Sequence, residues 1–252
     1  MIDIEKNYQK FVKYAKAYIK RDGIDELLAW LDKSDTFKNA PATAKYYGNY
    51  EGGLIKHSID VFMRMIKLLG AEYGDLEVYS KETIALVSLF HDIGKLGMYK
   101  KVSRNVKNEE TGNWEKVESW AVKDEEEKFV LGTVEENTLY LLNKFLTLNR
   151  EESIALMYVN GCNAEKNDFA NSRMFTAYKT SPLAMFLHIA DELAISVDGV
   201  ETTPKSVEKA IEAKEEKEKA EQEEEQETPA EEVSDNEQVT DNTVEASEGA
   251  PF

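Results

Sequence analysis

The chain carries three histidines, His57, His91 and His188, and each lies in an apolar stretch with a glycine or an aspartate close by. His57 follows Gly52, Gly53 and Leu54; His91 adjoins Asp92; His188 stands three residues before Asp191. Asp92 and Asp191 fall in strongly apolar windows, where a carboxylate without a partner costs several kcal/mol. A divalent cation with imidazole co-ligands meets that need. His91 and Asp92 lie about 100° apart around a helix. Both can grip one ion placed at the helix end, where Gly94 marks a break. His57 and Asp191 come from two other helices, so the ion would sit between facing helices of a bundle. His and Asp ligands without cysteine suit Mn, Fe, Co, Ni, Zn or Mg better than a structural zinc. The competing explanation is a set of buried polar residues bonded to helix ends.

The elements that must position these residues are mainly helical. Ile4, Phe11, Val12, Ala15 and Ile19 have helical spacing, and residues 24–31 form a second short helix. Residues 39–53, with Pro41 and three glycines, read as a loop. Residues 54–69 are amphipathic. Ser80 is a good N-cap for a helix running to about residue 92. Further helices are expected at 134–146, 150–159 and 182–197, the last with Ser181 as cap and Pro182 in its first turn. Between them, alternating valines and tryptophans from Tyr99 to Val122 flank a polar loop around Gly112, which predicts a β-hairpin.

The 252 residues allow one large domain or two small ones, and the formal net charge is −18. From residue 201 onward there are 18 acidic and 5 basic residues, so the tail carries most of that charge. Residues 205–226 predict a frayed, solvated helix. Beyond Pro229 the near absence of large apolar side chains predicts disorder and a solubilising role. The expected organisation is a body of residues 1–200 and an acidic tail of 201–252. No apolar run is long enough to cross a bilayer, and no secretion signal is visible at the N-terminus. The single cysteine, Cys162, allows neither an intrachain disulfide nor a cysteine-based zinc ribbon. These features predict a cytoplasmic setting without membrane attachment.

The wording around the four ligands carries a resemblance. Gly52-Gly-Leu-Ile-Lys-His57, Leu89-Phe-His-Asp-Ile-Gly-Lys95 and Pro182-Leu-Ala-Met-Phe-Leu-His-Ile-Ala-Asp191 together resemble the H…HD…D signature of the HD-domain metal-dependent phosphohydrolase superfamily. The likeness covers roughly residues 40–197. It is greatest to the branch that includes the HD domain of bacterial OB-fold-linked 3′–5′ exoribonucleases and stand-alone HD proteins of phages and bacteria.

That resemblance implies an all-helical HD core, here with a hairpin insertion. It implies one divalent metal (Mn, Ni, Co, Fe or Mg) held by His57, His91, Asp92 and Asp191. The implied reaction is hydrolysis of a phosphoester or phosphoanhydride of a nucleotide or nucleic acid by a metal-activated water. Asp92 would orient or deprotonate that water, Lys95 would neutralise a substrate phosphate, and the backbone at Gly52 and Gly53 would approach one. Two-metal relatives carry further histidines where this chain has Thr133 and Asn160, so a single site is expected. The alternative is a degenerate HD domain that binds a nucleotide or a partner without turnover. A third possibility is an interaction protein whose acidic tail is operative.

His188 is expected as a core histidine or a partner near Asp191 rather than a ligand. Tyr46, Tyr47 and Tyr50 could wall a pocket that stacks a base, with Tyr47 the candidate substrate contact; ordinary packing competes. The basic run 99–107 reads as a solvated strand face before it reads as a phosphate contact. Arg173 and Lys179 are read the same way. Substrate, oligomeric state and metal identity stay open.

Overall fold

A computed structural model describes residues 3–74, 78–108, 112–127, 132–161 and 168–196. The chain divides into two units, Met1–Ile211 and Glu212–Phe252, and every described residue belongs to the first. The expected tail helix, the expected disordered end and Cys162 lie outside the described residues.

The described part is mainly helical with one small hairpin, as the sequence predicts. Helix α1 (Ile4–Tyr18) opens where the Asp3 carboxylate accepts the Lys6 N–H at 2.9 Å, and it buries Tyr8, Phe11, Tyr14 and Ala15. Helix α2 (Ile24–Asp32) follows Gly23, whose φ is +91°. A Cβ there would meet the Phe145 carbonyl, so only glycine allows this approach. A short α3 (Asp35–Lys38) leads through the glycine-containing loop into α4 (Gly53–Tyr73), the longest described helix.

Helix α5 (Lys81–Phe90) starts as expected at Ser80, whose hydroxyl accepts the Thr83 N–H at 3.0 Å. From Thr83 to Phe90 every residue is buried, which makes α5 the inner helix of the bundle. It packs against α4, α1 and α7 (Arg150–Met157), while α4 also packs against α9 (Pro182–Ser196). Ring contacts of Phe11 with Phe37 and Phe90, at 5.6 and 5.2 Å, join α1, α3 and α5 into one apolar core.

Strands β1 (Tyr99–Lys107) and β2 (Trp114–Val122) pair antiparallel, from Tyr99 opposite Val122 to Lys107 opposite Trp114. No residue of either strand is buried. Among the described residues, no helix is long and apolar enough to cross a membrane.

The helices differ from the sequence reading in three places. Helix α6 (Val134–Leu142) stops before residue 146, and turns from the Leu141 and Leu142 carbonyls carry the chain on to the buried Leu146. Helix α8 (Asp168–Thr180) has no counterpart in the sequence reading. Of its described side chains only Met174 and Ala177 are buried, and Phe175 is exposed, so no apolar stripe announces it. Ser181 does not act as the expected cap of α9. Its buried hydroxyl has no hydrogen-bond partner among the described residues, and its N–H closes on the Ala177 carbonyl at 2.7 Å. The last turn of α8 therefore runs directly into α9.

One charged pair locks the bundle, and nothing in the sequence pattern marks it. The fully buried Glu152 carboxylate takes both Arg21 guanidinium nitrogens at 2.8 and 2.9 Å. It also accepts the Thr83 hydroxyl and the Asn149 N–H, each at 2.9 Å. The turn after α1 is thereby joined to α5 and α7. Burial works against the Glu152 charge, but Arg21 and these donors hold its carboxyl below the usual range. A depressed carboxyl stabilises the fold above the ordinary glutamate pKa and loses that contribution as pH falls through the depressed one. Arg21 keeps 20% of its side chain exposed. Glu152→Gln should therefore lower unfolding stability at pH 7 by about 2–3 kcal/mol, less than a fully enclosed pair. In urea titrations at several pH values, the difference between wild type and variant should shrink below about pH 4. A variant as stable as wild type at pH 7 would remove this pair from the account.

Candidate metal centre

The loop before α4 is coiled tightly under that helix's first turn. Gly53 N–H is bound to the Tyr50 carbonyl and Leu54 N–H to the Ala40 carbonyl, both at 3.0 Å. A Cβ on Gly53 would lie 2.1 Å from the Gly48 carbonyl oxygen, and Gly52 adopts φ +76° with Ile4 against it. Gly52 and Gly53 thus serve close packing. The Gly53 amide, expected to face a phosphate, is already spent on Tyr50. The coil sets His57 on the inner face of α4 and lays the Tyr47 ring against it, with centroids 5.1 Å apart.

His91 ends α5, and Asp92 opens a short 3₁₀ turn, Ile93–Lys95. Helix α6 clamps that turn. The Thr138 hydroxyl donates to the His91 carbonyl at 2.9 Å and accepts the Gly94 N–H at 3.0 Å. Gly94 is required because a Cβ would sit 2.1 Å from the Val134 carbonyl oxygen. Asp191 comes from α9, which packs along α4.

Three of the expected ligands, His57, His91 and Asp92, meet, and Asp191 lies against the two imidazoles. His57 Nε2 and His91 Nε2 are 3.2 Å apart. Asp191 Oδ1 lies 2.8 Å from the first and 3.6 Å from the second. Asp92 Oδ2 lies 3.6 and 3.4 Å from the same atoms. His57, His91 and Asp92 form a buried group that could hold a metal ion. Ligand atoms about 2.1 Å from one ion stand roughly 3.0–3.4 Å apart, and the observed spacings bracket that range.

The ring nitrogens turned away from this point are occupied. His91 Nδ1 lies 2.8 Å from the Ser88 carbonyl, which can only accept, so Nδ1 carries the proton. His57 Nδ1 lies 3.2 Å from the Tyr47 hydroxyl. Both Nε2 atoms are therefore turned on the shared point, where two lone pairs this close repel unless positive charge lies between them. Asp191 Oδ1 is buried with no directed hydrogen bond among the described residues, although it touches His57. An orphaned carboxylate oxygen beside two facing imidazole nitrogens fits a cation site.

The protonation pattern has the same cause. Burial drives His57 toward the neutral ring, against the pull of Asp191. Burial also opposes charge on His91, but Asp92 and Asp191 outweigh it and push its pKa up to about 10. Burial opposes both carboxylate charges as well. Lys95 and the histidines nevertheless hold Asp92 well below the usual range, and His57 and His91 do the same for Asp191.

Other expected residues take different places. Lys95 Nζ touches the Asp92 carboxylate and donates to the Ala42 carbonyl at 3.2 Å. Its charge, expected on a substrate phosphate, is committed to Asp92. Tyr47 is tied to His57 rather than offered as a stacking wall, whereas Tyr46 is exposed. His188 Nδ1 bonds the Val159 carbonyl at 2.7 Å and its ring stacks on Tyr178, so it packs on the α7–α8 side and makes no hydrogen bond to Asp191. Thr133 caps α6 in a capping box with Glu136, and Asn160 donates to Glu135 at 3.0 Å. Both positions are spent on structure. Arg173 and Lys179 lie exposed on α8. The sequence reading missed Thr138, Ser88 and the Ala42 carbonyl, because no spacing rule links them to the ligands.

No protein-family model matches the chain, and neither the curated proteins nor the solved structures give a significant match.

Partners of the ligand rings commonly account for tenfold or more in metal affinity. Tyr47→Phe should leave the fold intact and weaken binding of Mn²⁺ or Ni²⁺ by about tenfold. Calorimetric titration reads this directly, and unchanged affinity would show that the Tyr47 hydroxyl does not orient His57.

Proposed function

We propose that the chain is an HD-type metal-dependent phosphohydrolase that cleaves a phosphoester or phosphoanhydride of a nucleotide or nucleic acid. One observation carries the reading. His57, His91 and Asp92 turn donor atoms to a single buried point, and an Asp191 oxygen without a directed hydrogen bond among the described residues lies 2.8 and 3.6 Å from the two imidazole nitrogens. The local wording around these four residues, given above, supplies the reaction class.

His57, His91, Asp92 and Asp191 would hold one divalent cation, which supplies Lewis-acid chemistry at a phosphoryl group. The chain's own residues do the rest. Ser88 and Tyr47 hold the two imidazoles in the orientation a ligand needs. Asp92, kept ionised, offers a carboxylate oxygen that can orient a water or take its proton. Lys95 restrains that carboxylate and balances its charge. Burial of the ligands removes competing water and strengthens each of these interactions. Thr133 and Asn160, spent on α6 and Glu135, favour one cation over two.

A binding module without turnover is the rival reading, and the Lys95–Asp92 contact favours it, because it occupies the proposed base. Metal content and hydrolysis of the full chain separate the two. Substrates would be a generic phosphodiester, a phosphomonoester, nucleoside mono- and triphosphates, and single-stranded RNA and DNA. Each would be assayed with Mn²⁺, Ni²⁺, Co²⁺ and Mg²⁺. The expected result is one bound metal per chain and turnover that falls by roughly a hundredfold or more in Asp92→Asn. Nucleotide binding that survives Asp92→Asn, with no turnover in any metal, would replace the enzyme by the binding module. Absence of both metal and turnover would end the enzyme reading.

A further inference from the structure

The β1–β2 ribbon buries none of its side chains. Two nine-residue strands extend for about 30 Å. An isolated two-stranded ribbon is marginal in water, so a face this exposed calls for something to contact. Directly opposed residues point to the same side. Register therefore places Tyr99, Lys101, Lys107, Trp114, Lys116 and Trp120 on one face. Trp114 is 71% exposed, and Lys101 Nζ lies 5.5 Å from the Trp120 ring centre. The two indoles are about 20 Å apart along β2, with Lys116 and Glu118 between them.

Charge is concentrated here. The two strands hold five basic and two acidic residues, whereas the rest of residues 1–200 hold 21 basic and 29 acidic. On this face Lys101 contacts Glu51 and stands 3.9 Å from Glu118. Lys107 and Lys116 form no ion pair among the described residues. Two more acids, Glu109 and Glu110, fall between the strands in the sequence, outside the described residues.

The inner end of this face meets the metal centre. Tyr99 donates its hydroxyl to the Ala42 carbonyl at 3.3 Å, the same oxygen that receives Lys95 Nζ, and Lys95 touches Asp92. A protein partner would need contiguous apolar surface, and here the indoles are separated by Lys116 and Glu118. Lys101 opposite Trp120, Lys107 opposite Trp114 and Lys116 beyond it set cations beside flat aromatic rings, which matches a chain of phosphates carrying unstacked bases.

We propose that this face of the ribbon binds single-stranded nucleic acid and leads it to the metal centre. The inference deepens the phosphohydrolase reading, on which its second half rests, by naming a polymer as the substrate.

The test uses the full chain with EDTA present, so that no cleavage intervenes. Anisotropy of a labelled 20-nucleotide oligo(U) or oligo(dT) gives affinity. Two of the three tryptophans lie on the ribbon, so their fluorescence reports stacking. Expected are saturable binding, tryptophan quenching, and weaker binding to a duplex of equal length. Lys107→Glu with Lys116→Glu should weaken binding at least tenfold. It should also reduce the slope of log affinity against log salt by roughly 1.4, as for two lost phosphate contacts. Trp114→Ala should lose much of the quenching. A control pair off the ribbon, Lys67→Glu with Lys81→Glu, should bind within about twofold of wild type, and circular dichroism should show all variants folded.

Absence of binding at low salt, equal weakening by the control pair, or a preference for duplex would each overturn the proposal. So would binding that appears only after the acidic tail is removed, since the tail would then be the occupant. Mononucleotide hydrolysis with added metal is scored separately. A failed ribbon leaves it standing, and failed hydrolysis leaves oligonucleotide binding standing.

Discussion

Two imidazoles and the Asp92 carboxylate share one buried point with Asp191 against the rings, and that arrangement is tolerable only with positive charge among them. Asp92 and Asp191 favour that charge on His91, whose pKa they push up to about 10, and Lys95 brings another. The ring nitrogens face each other at 3.2 Å, a distance that neutral lone pairs do not accept. Much of the helical packing serves to create this point. Helix α4 brings His57, the end of α5 brings His91 and Asp92, and α9 brings Asp191. A site drawn from three helices exists only if all three are in register, so its electrostatic demand and the packing of the bundle depend on each other.

The close approaches follow from the same constraint. His91 and Asp92 project from a helix end rather than a helix face, and that end is held by α6 through Thr138. The clamp works at backbone distance, which is why Gly94 has no room for a side chain. On the other side Gly53 allows the preceding loop to tuck beneath α4 and present Tyr47 to His57. Absent side chains thus position the ligands as much as the buried ones do. The second buried charge system, Arg21 with Glu152, stands apart from the metal centre and has a different purpose. It joins segments distant in sequence, and every lone pair of its carboxylate is matched by a donor or a guanidinium.

The ribbon obeys neither rule. It buries nothing and carries cations, while the body that bears it is acidic. It is tied to the body near its base, where Tyr99 and Lys95 share the Ala42 carbonyl and Lys101 contacts Glu51. A segment that buries so little adds little to the stability of the body that carries it.

Much of this was legible in the residues alone. Hydrophobic period gave α1, α2, α4, α5, α9 and the hairpin, because each buries one face or alternates. Ser80 marked its helix correctly, because capping is a local interaction. The grouping of His57, His91 and Asp92 could be anticipated because an aspartate and histidines in apolar windows need partners, and because the wording around them resembles a known signature. What the sequence could not decide depended on distance in space. Helix α8 escaped notice because it buries too little to leave a period. Ser181 was misread as a cap because the turn before it borrows a carbonyl from α8. Lys95 was expected to meet a substrate, but only the folded loop reveals that Ala42 and Asp92 already hold it. Tyr47 was one aromatic among three until the coil under α4 brought its hydroxyl to His57. The sequence by itself determined which side chains could bind a cation, since that is a matter of chemical type. The tertiary structure alone decided which atoms of those side chains face one another, since hydrogen bonds from Ser88, Tyr47 and Thr138, remote from the ligand pattern, set their orientation.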